Sequence, residues 1–173
     1  MPKKLYINCK KIEKTAKKLV KKLRKYNFDK DKTLVVGVGR GGLIASQYVA
    51  YGLGIRNMTI IQSKSYEGEN KSNNQMEVSG ALMLDYDSYD HILLVDDLID
   101  SGNTMEVLLE LMEDLIFEFE SKVAVVPCVL FTQKSKKDVE NMGAIFGKSF
   151  YKKGKPSKWL MFPWNTFIDG CDM

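Results

Sequence analysis

Three short runs in this chain are apolar at nearly every residue, and they set the fold class. Thr33–Val38 (Thr-Leu-Val-Val-Gly-Val), His91–Val95 and Val123–Phe131 carry no polar alternation. A strand with one wet face alternates every second residue, whereas a strand covered on both faces reads as a continuous apolar run. Covering a sheet on both faces takes helices, and the sequence supplies them between the runs. Further strands fit Met58–Gln62 and Ala144–Phe150, with a short one at Ala81–Leu84.

The helical segments follow from periodicity. Leu43–Leu53 is closed by Gly54 as a C-cap. Thr104–Phe119 places Met105, Leu108, Leu111, Met112, Leu115 and Phe119 at helical spacing. Asn8–Tyr26 does the same with Ile12, Ala16, Leu19, Val20 and Leu23, and lysines fill its other, solvated face. Strand, glycine loop, helix and strand make a βαβ unit, so the expected class is α/β with a mainly parallel twisted sheet flanked by helices. The 173 residues suit one domain, 1–173. Lys64–Glu77 is polar, contains Gly68 and several asparagines, and has no core-forming pattern. A long loop of that kind is functional or disordered. The tail Pro156–Met173 is aromatic and irregular.

Bulk properties exclude some function classes. A formal net charge of +4 is mildly basic and suits an anionic small molecule as well as anything larger. Cys9, Cys128 and Cys171 have the spacing of neither a disulfide framework nor a zinc ribbon. No apolar run approaches the roughly 18 residues that span a bilayer. The start, Met1-Pro2-Lys3-Lys4-Leu5, lacks an apolar signal core. A cytoplasmic protein with no membrane partner is expected.

The densest chemistry follows the third strand, where Asp96-Asp97-Leu98-Ile99-Asp100-Ser101-Gly102-Asn103-Thr104 forms an acidic loop that enters a helix. Ligands of open α/β sheets bind at the carboxyl ends of strands. Two adjacent carboxylates there call for hydrogen-bond donors or a cation, and ribose hydroxyls and hydrated magnesium are natural partners. The first helical turn offers free N–H groups and the positive dipole end. Ser101 and Thr104 add hydroxyls, and Gly102 permits close backbone approach. A carboxylate pair directly before such a cradle describes a ribose 5-phosphate site.

The run Ile92–Thr104 resembles the 13-residue signature of the type I phosphoribosyltransferases, which bind 5-phosphoribosyl 1-pyrophosphate (PRPP). The resemblance is nearest to the xanthine-guanine and hypoxanthine-guanine enzymes. It implies that Asp96 and Asp97 meet the ribose hydroxyls and, through them or water, Mg²⁺. It places Asp100 near N7 of the base as the catalytic carboxylate. It assigns Ser101, Gly102, Asn103 and Thr104 to the 5-phosphate.

Other segments gain meaning beside this one. Gly39-Arg40-Gly41-Gly42 resembles the pyrophosphate loop of the xanthine-guanine type enzymes, with Gly39 where most relatives carry Ser. Ser65 and Tyr66 open a segment, about 64–79, that resembles the mobile loop closing over PRPP, and both are candidates to reach pyrophosphate. Lys134 stands where purine enzymes of this family hold the 6-oxo group. Trp159-Leu160-Met161-Phe162-Pro163-Trp164 resembles the hood of 6-oxopurine enzymes, a small C-terminal element of about 154–173. There Trp159 would stack on the purine and backbone near Leu160 would read its edge. Asn165 replaces the acid that the family often carries. His91, the single histidine, lies at a strand start away from the site and is read as structural.

The implied activity is Mg²⁺-dependent transfer of the phosphoribosyl group to hypoxanthine, guanine or xanthine, by a homodimer or homotetramer. Nucleic acid is not an expected partner. Two alternatives share the fold: a PRPP-sensing regulator that binds nucleic acid, and an enzyme for another base. A regulator has little use for Trp159 and Lys134.

Overall fold

The computed structural model describes residues 3–65, 76–80, 85–155 and 158–165. The main sheet contains β2 (Thr33–Gly39), β3 (Met58–Ser65), β4 (Met76–Gly80), β5 (His91–Ile99), β6 (Ala124–Thr132) and β7 (Ile145–Ser149). Their spatial order is β4-β3-β2-β5-β6-β7. Every pairing in it is parallel except β3 with β4, which is antiparallel. A second, two-stranded sheet pairs β1 (Lys4–Tyr6) with β8 (Trp159–Met161), with Leu5 opposite Leu160.

Alternate residues of each central strand enter opposite cores. Val35, Leu93, Val95 and Leu130 face one helical layer, formed by α1 (Cys9–Leu23) and α2 (Gly42–Leu53). Leu34, Val36, Ile92, Leu94 and Val129 face the other. That layer contains α3 (Asn103–Glu118) and the short α4 (Lys136–Asn141). Double coverage explains the apolar runs of the sequence. Pro127 is tolerated in β6 because pairing with β7 begins one residue later, at Cys128.

The helices end where local chemistry ends them. Asn8 caps α1, its side-chain oxygen accepting from the Lys11 N–H at 2.9 Å. Ile12, Ala16, Leu19, Val20 and Leu23 are its buried stripe, as the periodicity predicts. Gly54 closes α2 in the left-handed conformation, φ +73°.

Three expectations change. The acidic segment is not all loop: β5 continues to Ile99, because its register with β6 persists (Asp96 opposite Val129, Leu98 opposite Phe131) after pairing with β2 stops at Val95. The polar stretch 64–77 is strand at both ends, since Ser65 pairs with Met76 and Lys64 with Glu77. The strand Val123–Phe131 begins and ends one residue later than predicted, at Ala124 and Thr132. The expected strand Ala81–Leu84, residues 66–75 of the loop and residues 166–173 of the tail lie outside the described residues. Cys9 and Cys128 are free thiols, one exposed and one buried. No described helix is long and apolar enough to cross a membrane.

Candidate active site

The loss of the β2 partner beyond Val95 leaves Asp96 and Asp97 on a strand extension with one unpaired edge. That edge is filled by the turn into α2. A methyl group built on Gly41 would collide with the Asp97 carboxylate, and one on Gly42 with the Val95 carbonyl oxygen. The glycines therefore let the 39–42 loop lie directly against the acidic pair. Gly39 ends β2 opposite Gln62, the Gly39–Arg40 peptide is cis, and the Arg40 side chain is exposed.

The two carboxylates are half-buried and short of positive charge. The Asp97 N–H donates to Asp96 Oδ1 at 2.8 Å, and the Trp164 indole N–H donates to Asp97 Oδ2 at 3.3 Å. Burial raises the Asp96 carboxyl well above the usual carboxylate range, and the Asp97 charge adds to the rise. Burial raises Asp97 as well, opposed by hydrogen bonds from Asp96 and Trp164. A pair in this state gains from any ligand that brings hydroxyl donors or a cation.

Downstream, Gly102 takes φ +99° to turn the chain into α3. Ser101 Oγ accepts from the Asn103 N–H at 3.4 Å, and Glu106 is the acid of the first helical turn. Asn103 and Thr104 begin the helix, so their N–H groups belong to its positive end. Asp100 is exposed and accepts from Gln133 Nε2 at 2.9 Å.

A cavity of about 380 Å³ opens over this region. Asp97 and Asp100 line it together with Gln133, Lys158, Trp159, Leu160 and Phe162. Trp159 is 57% exposed, whereas Leu160 and Phe162 are buried. Phe162 stacks on Trp164 at 4.8 Å between ring centroids, which holds the indole N–H toward Asp97.

The structure thus gathers Asp97, Asp100, Trp159 and Leu160 around one space, while the 39–42 loop lies against Asp97 through Gly41 and the 101–104 turn follows Asp100 in the chain. Lys134 is turned elsewhere. Its Nζ lies 3.6 Å from Glu106 and crowds Gly102, and it is not among the residues lining the cavity. Gln133 and Lys158 occupy that space instead, and sequence reasoning missed both. The one-residue difference at the end of β6 is the reason: Gln133 follows Thr132 and donates its N–H to the Ile99 carbonyl at 2.9 Å, which sets it beside Asp100. Ser65 belongs to β3 through its backbone, and Tyr66 lies outside the described residues. Asn165 lines the cavity and accepts from the Phe162 N–H at 2.9 Å. His91 sits at the far end of β5, edge-on to Phe28 at 5.1 Å.

Comparison with known proteins decides what this arrangement belongs to. Residues 5–161 match the family model of the phosphoribosyl transferase domain. The chain is a member of that family. It is 26% identical over 132 residues to the xanthine-guanine phosphoribosyltransferase of Gluconobacter oxydans, covering 76% of this chain and 68% of the relative. Its fold is similar to that of the Helicobacter pylori xanthine-guanine-hypoxanthine phosphoribosyltransferase, with TM-score 0.71, 21% identity and 96% of each chain covered. It is also similar to the purine phosphoribosyltransferase of Pyrococcus horikoshii, with TM-score 0.69, 23% identity and 93% of each chain covered. The phosphoribosyltransferase fold thus accounts for the parallel sheet and the placing of the acidic pair at its carboxyl edge.

Proposed function

We propose that this chain is a purine-salvage phosphoribosyltransferase, which transfers the 5-phosphoribosyl group of PRPP to a 6-oxopurine and releases pyrophosphate. One observation carries the reading. One cavity is lined both by the carboxylates of Asp97 and Asp100 and by the exposed indole of Trp159. Ribose hydroxyls suit the carboxylates and a planar base suits the indole. The xanthine-guanine relatives support the 6-oxopurine class.

In this reading the 101–104 turn holds the 5-phosphate at the start of α3. The loop amides of 39–41 and the Arg40 guanidinium take the pyrophosphate, joined by Ser65 and Tyr66. Trp159 stacks on the base while Leu160 borders its edge. The C1–oxygen bond to pyrophosphate breaks as a purine ring nitrogen bonds to C1. Asp100 accepts the proton displaced from the base. The rest is positioning of two ligands whose charges shift during the exchange.

Magnesium fits the same residues. No group of three or more His, Cys, Asp or Glu side chains among the described residues forms a cage for a metal. Mg²⁺ does not require one, since it keeps water and substrate oxygens and uses one or two carboxylates. Asp96 and Asp97 would hold it through the ribose hydroxyls or water, and when bound it would neutralise charge on the pyrophosphate. The assembly proposed is a homodimer or homotetramer, on the family resemblance alone.

The test is to incubate the protein with Mg²⁺, PRPP and each of hypoxanthine, guanine, xanthine, adenine, uracil and orotate, and to assay nucleoside monophosphates. Product from the three 6-oxopurines is expected. Binding of PRPP with no product from any base would overturn the enzyme reading in favour of a PRPP-sensing regulator.

A further inference from the structure

Gln133 lines the cavity with both ends of its amide engaged. Its Nε2 donates to Asp100 Oδ1 at 2.9 Å, and its Oε1 accepts from the Lys158 N–H at 2.8 Å. These partners fix which way the amide points. An ionised carboxylate only accepts and a backbone N–H only donates, so the opposite orientation would set acceptor against acceptor and donor against donor. Each end keeps spare capacity: one N–H on Nε2 and one lone pair on Oε1. Along the wall from Asp100, the cavity therefore presents a carboxylate, then an N–H donor, then a carbonyl acceptor.

That order has one complement among purines. Resting on the salvage reading, which sets Asp100 near N7, the next groups along the base edge are the substituent at C6 and then N1. A 6-oxopurine offers an acceptor at O6 and a donor at N1–H, matching the amide twice. A 6-aminopurine offers a donor and then an acceptor, opposing it twice. We infer that Gln133, held by Asp100 and Lys158, is the specificity-determining residue of this chain, pairing with the O6/N1–H edge and rejecting 6-amino bases. Lys134, beside Gly102 and Glu106, serves the phosphate end instead. A lysine reader only donates and would test O6 alone. The fixed amide tests two atoms, and opposed pairs are left unsatisfied in a partly desolvated site.

The experiment is calorimetric binding of IMP, AMP and ribose 5-phosphate, with Mg²⁺, to the wild-type chain and to Q133L, Q133E and K134A. IMP and AMP differ only at the edge in question, and ribose 5-phosphate lacks it. The wild type is expected to bind IMP about tenfold tighter than AMP. Q133L should reduce that preference to within about twofold and leave ribose 5-phosphate unchanged. Q133E, close to isosteric and acceptor-only at both positions, matches and opposes each edge once, so it too should bring the preference to within about twofold, and it carries the test if Q133L does not fold. K134A should weaken all three ligands by a common factor. A Q133L protein that keeps the wild-type preference would overturn the inference. So would a wild type that binds both nucleotides equally and more tightly than ribose 5-phosphate, which leaves the salvage reading intact. A wild type that binds neither nucleotide better than ribose 5-phosphate would bring down both.

Discussion

The Trp164 indole N–H donates to Asp97 Oδ2 across 3.3 Å, tying the C-terminal segment to the strand that ends in the acidic pair. The bond is one of the few donors that meet this carboxylate, and stacking on Phe162 keeps the indole in place. W164F retains the stack and deletes the donor. The expected outcome is a stability loss of about 0.5–1.5 kcal/mol by denaturant titration. A severalfold rise in KM for PRPP should accompany it, with little change in KM for the base. A W164F protein with wild-type KM for PRPP would show that the bond does not prepare Asp97 for its ligand.

The raised pKa values of Asp96 and Asp97 make a signed prediction for the unliganded protein. A carboxyl whose folded pKa lies above its unfolded value binds its proton more tightly when folded. Its stability contribution is fully present below the ordinary carboxylate pKa of about 3.9–4 and is lost as pH rises through the raised value. D97N removes one of the two charges and keeps an oxygen that can accept from Trp164. Its Tm should exceed wild type at pH 7 by about 2–4 °C, the shift that about 1 kcal/mol produces in a domain of this size. The difference should shrink as pH falls toward 4. A gap that stays constant with pH, or a D97N protein less stable at pH 7, would contradict burial as the cause.

Much of this site was legible in the sequence, and what was not has a physical reason. The buried strands and the run from Asp96 to Thr104 announce themselves locally, by composition and by turn residues. The extension of β5 to Ile99 does not, because it depends on β6 continuing its register past the point where β2 stops. The same non-local register sets Gln133 rather than Lys134 beside Asp100. The strands β1 and β8 have three residues each, and Lys4–Tyr6 is mostly exposed, so nothing local marks a pairing that joins Leu5 to Leu160. The helix α4 did carry a signal. Ser135 followed by Asp138 three residues later is a capping pattern, and the structure uses it: Ser135 Oγ accepts from the Asp138 N–H at 3.2 Å.

Gly41 and Gly42 separate two kinds of crowding. A Cβ at Gly41 meets a side chain, the Asp97 carboxylate, while one at Gly42 meets a backbone carbonyl, that of Val95. A side chain can swing away and a central strand cannot. G42A should cost about 1–3 kcal/mol of stability, the range for overpacking. G41A should fold with a smaller loss but displace Asp97, weakening PRPP about tenfold, or about 1.4 kcal/mol. Thermal unfolding and PRPP titration of the two variants measure the contrast. Equal destabilisation by both would mean that Asp97 is held as rigidly as the strand itself.

Asp100 is exposed, belongs to the turn rather than the strand, and accepts a side-chain hydrogen bond from Gln133 on the cavity wall. Its removal therefore leaves the acidic pair and the 101–104 turn in place. D100A should bind PRPP within about twofold of wild type while kcat falls about 10²–10⁴-fold, the range for a positioned proton acceptor. D100N separates the proton from the geometry, since its carboxamide can still accept from Gln133 Nε2 but has no basic oxygen. Both variants should lose turnover at neutral pH, with D100N the better binder of base. If D100N turned over at the wild-type rate, Asp100 would be a positioning residue for Gln133, and the proton from the base would leave by another route.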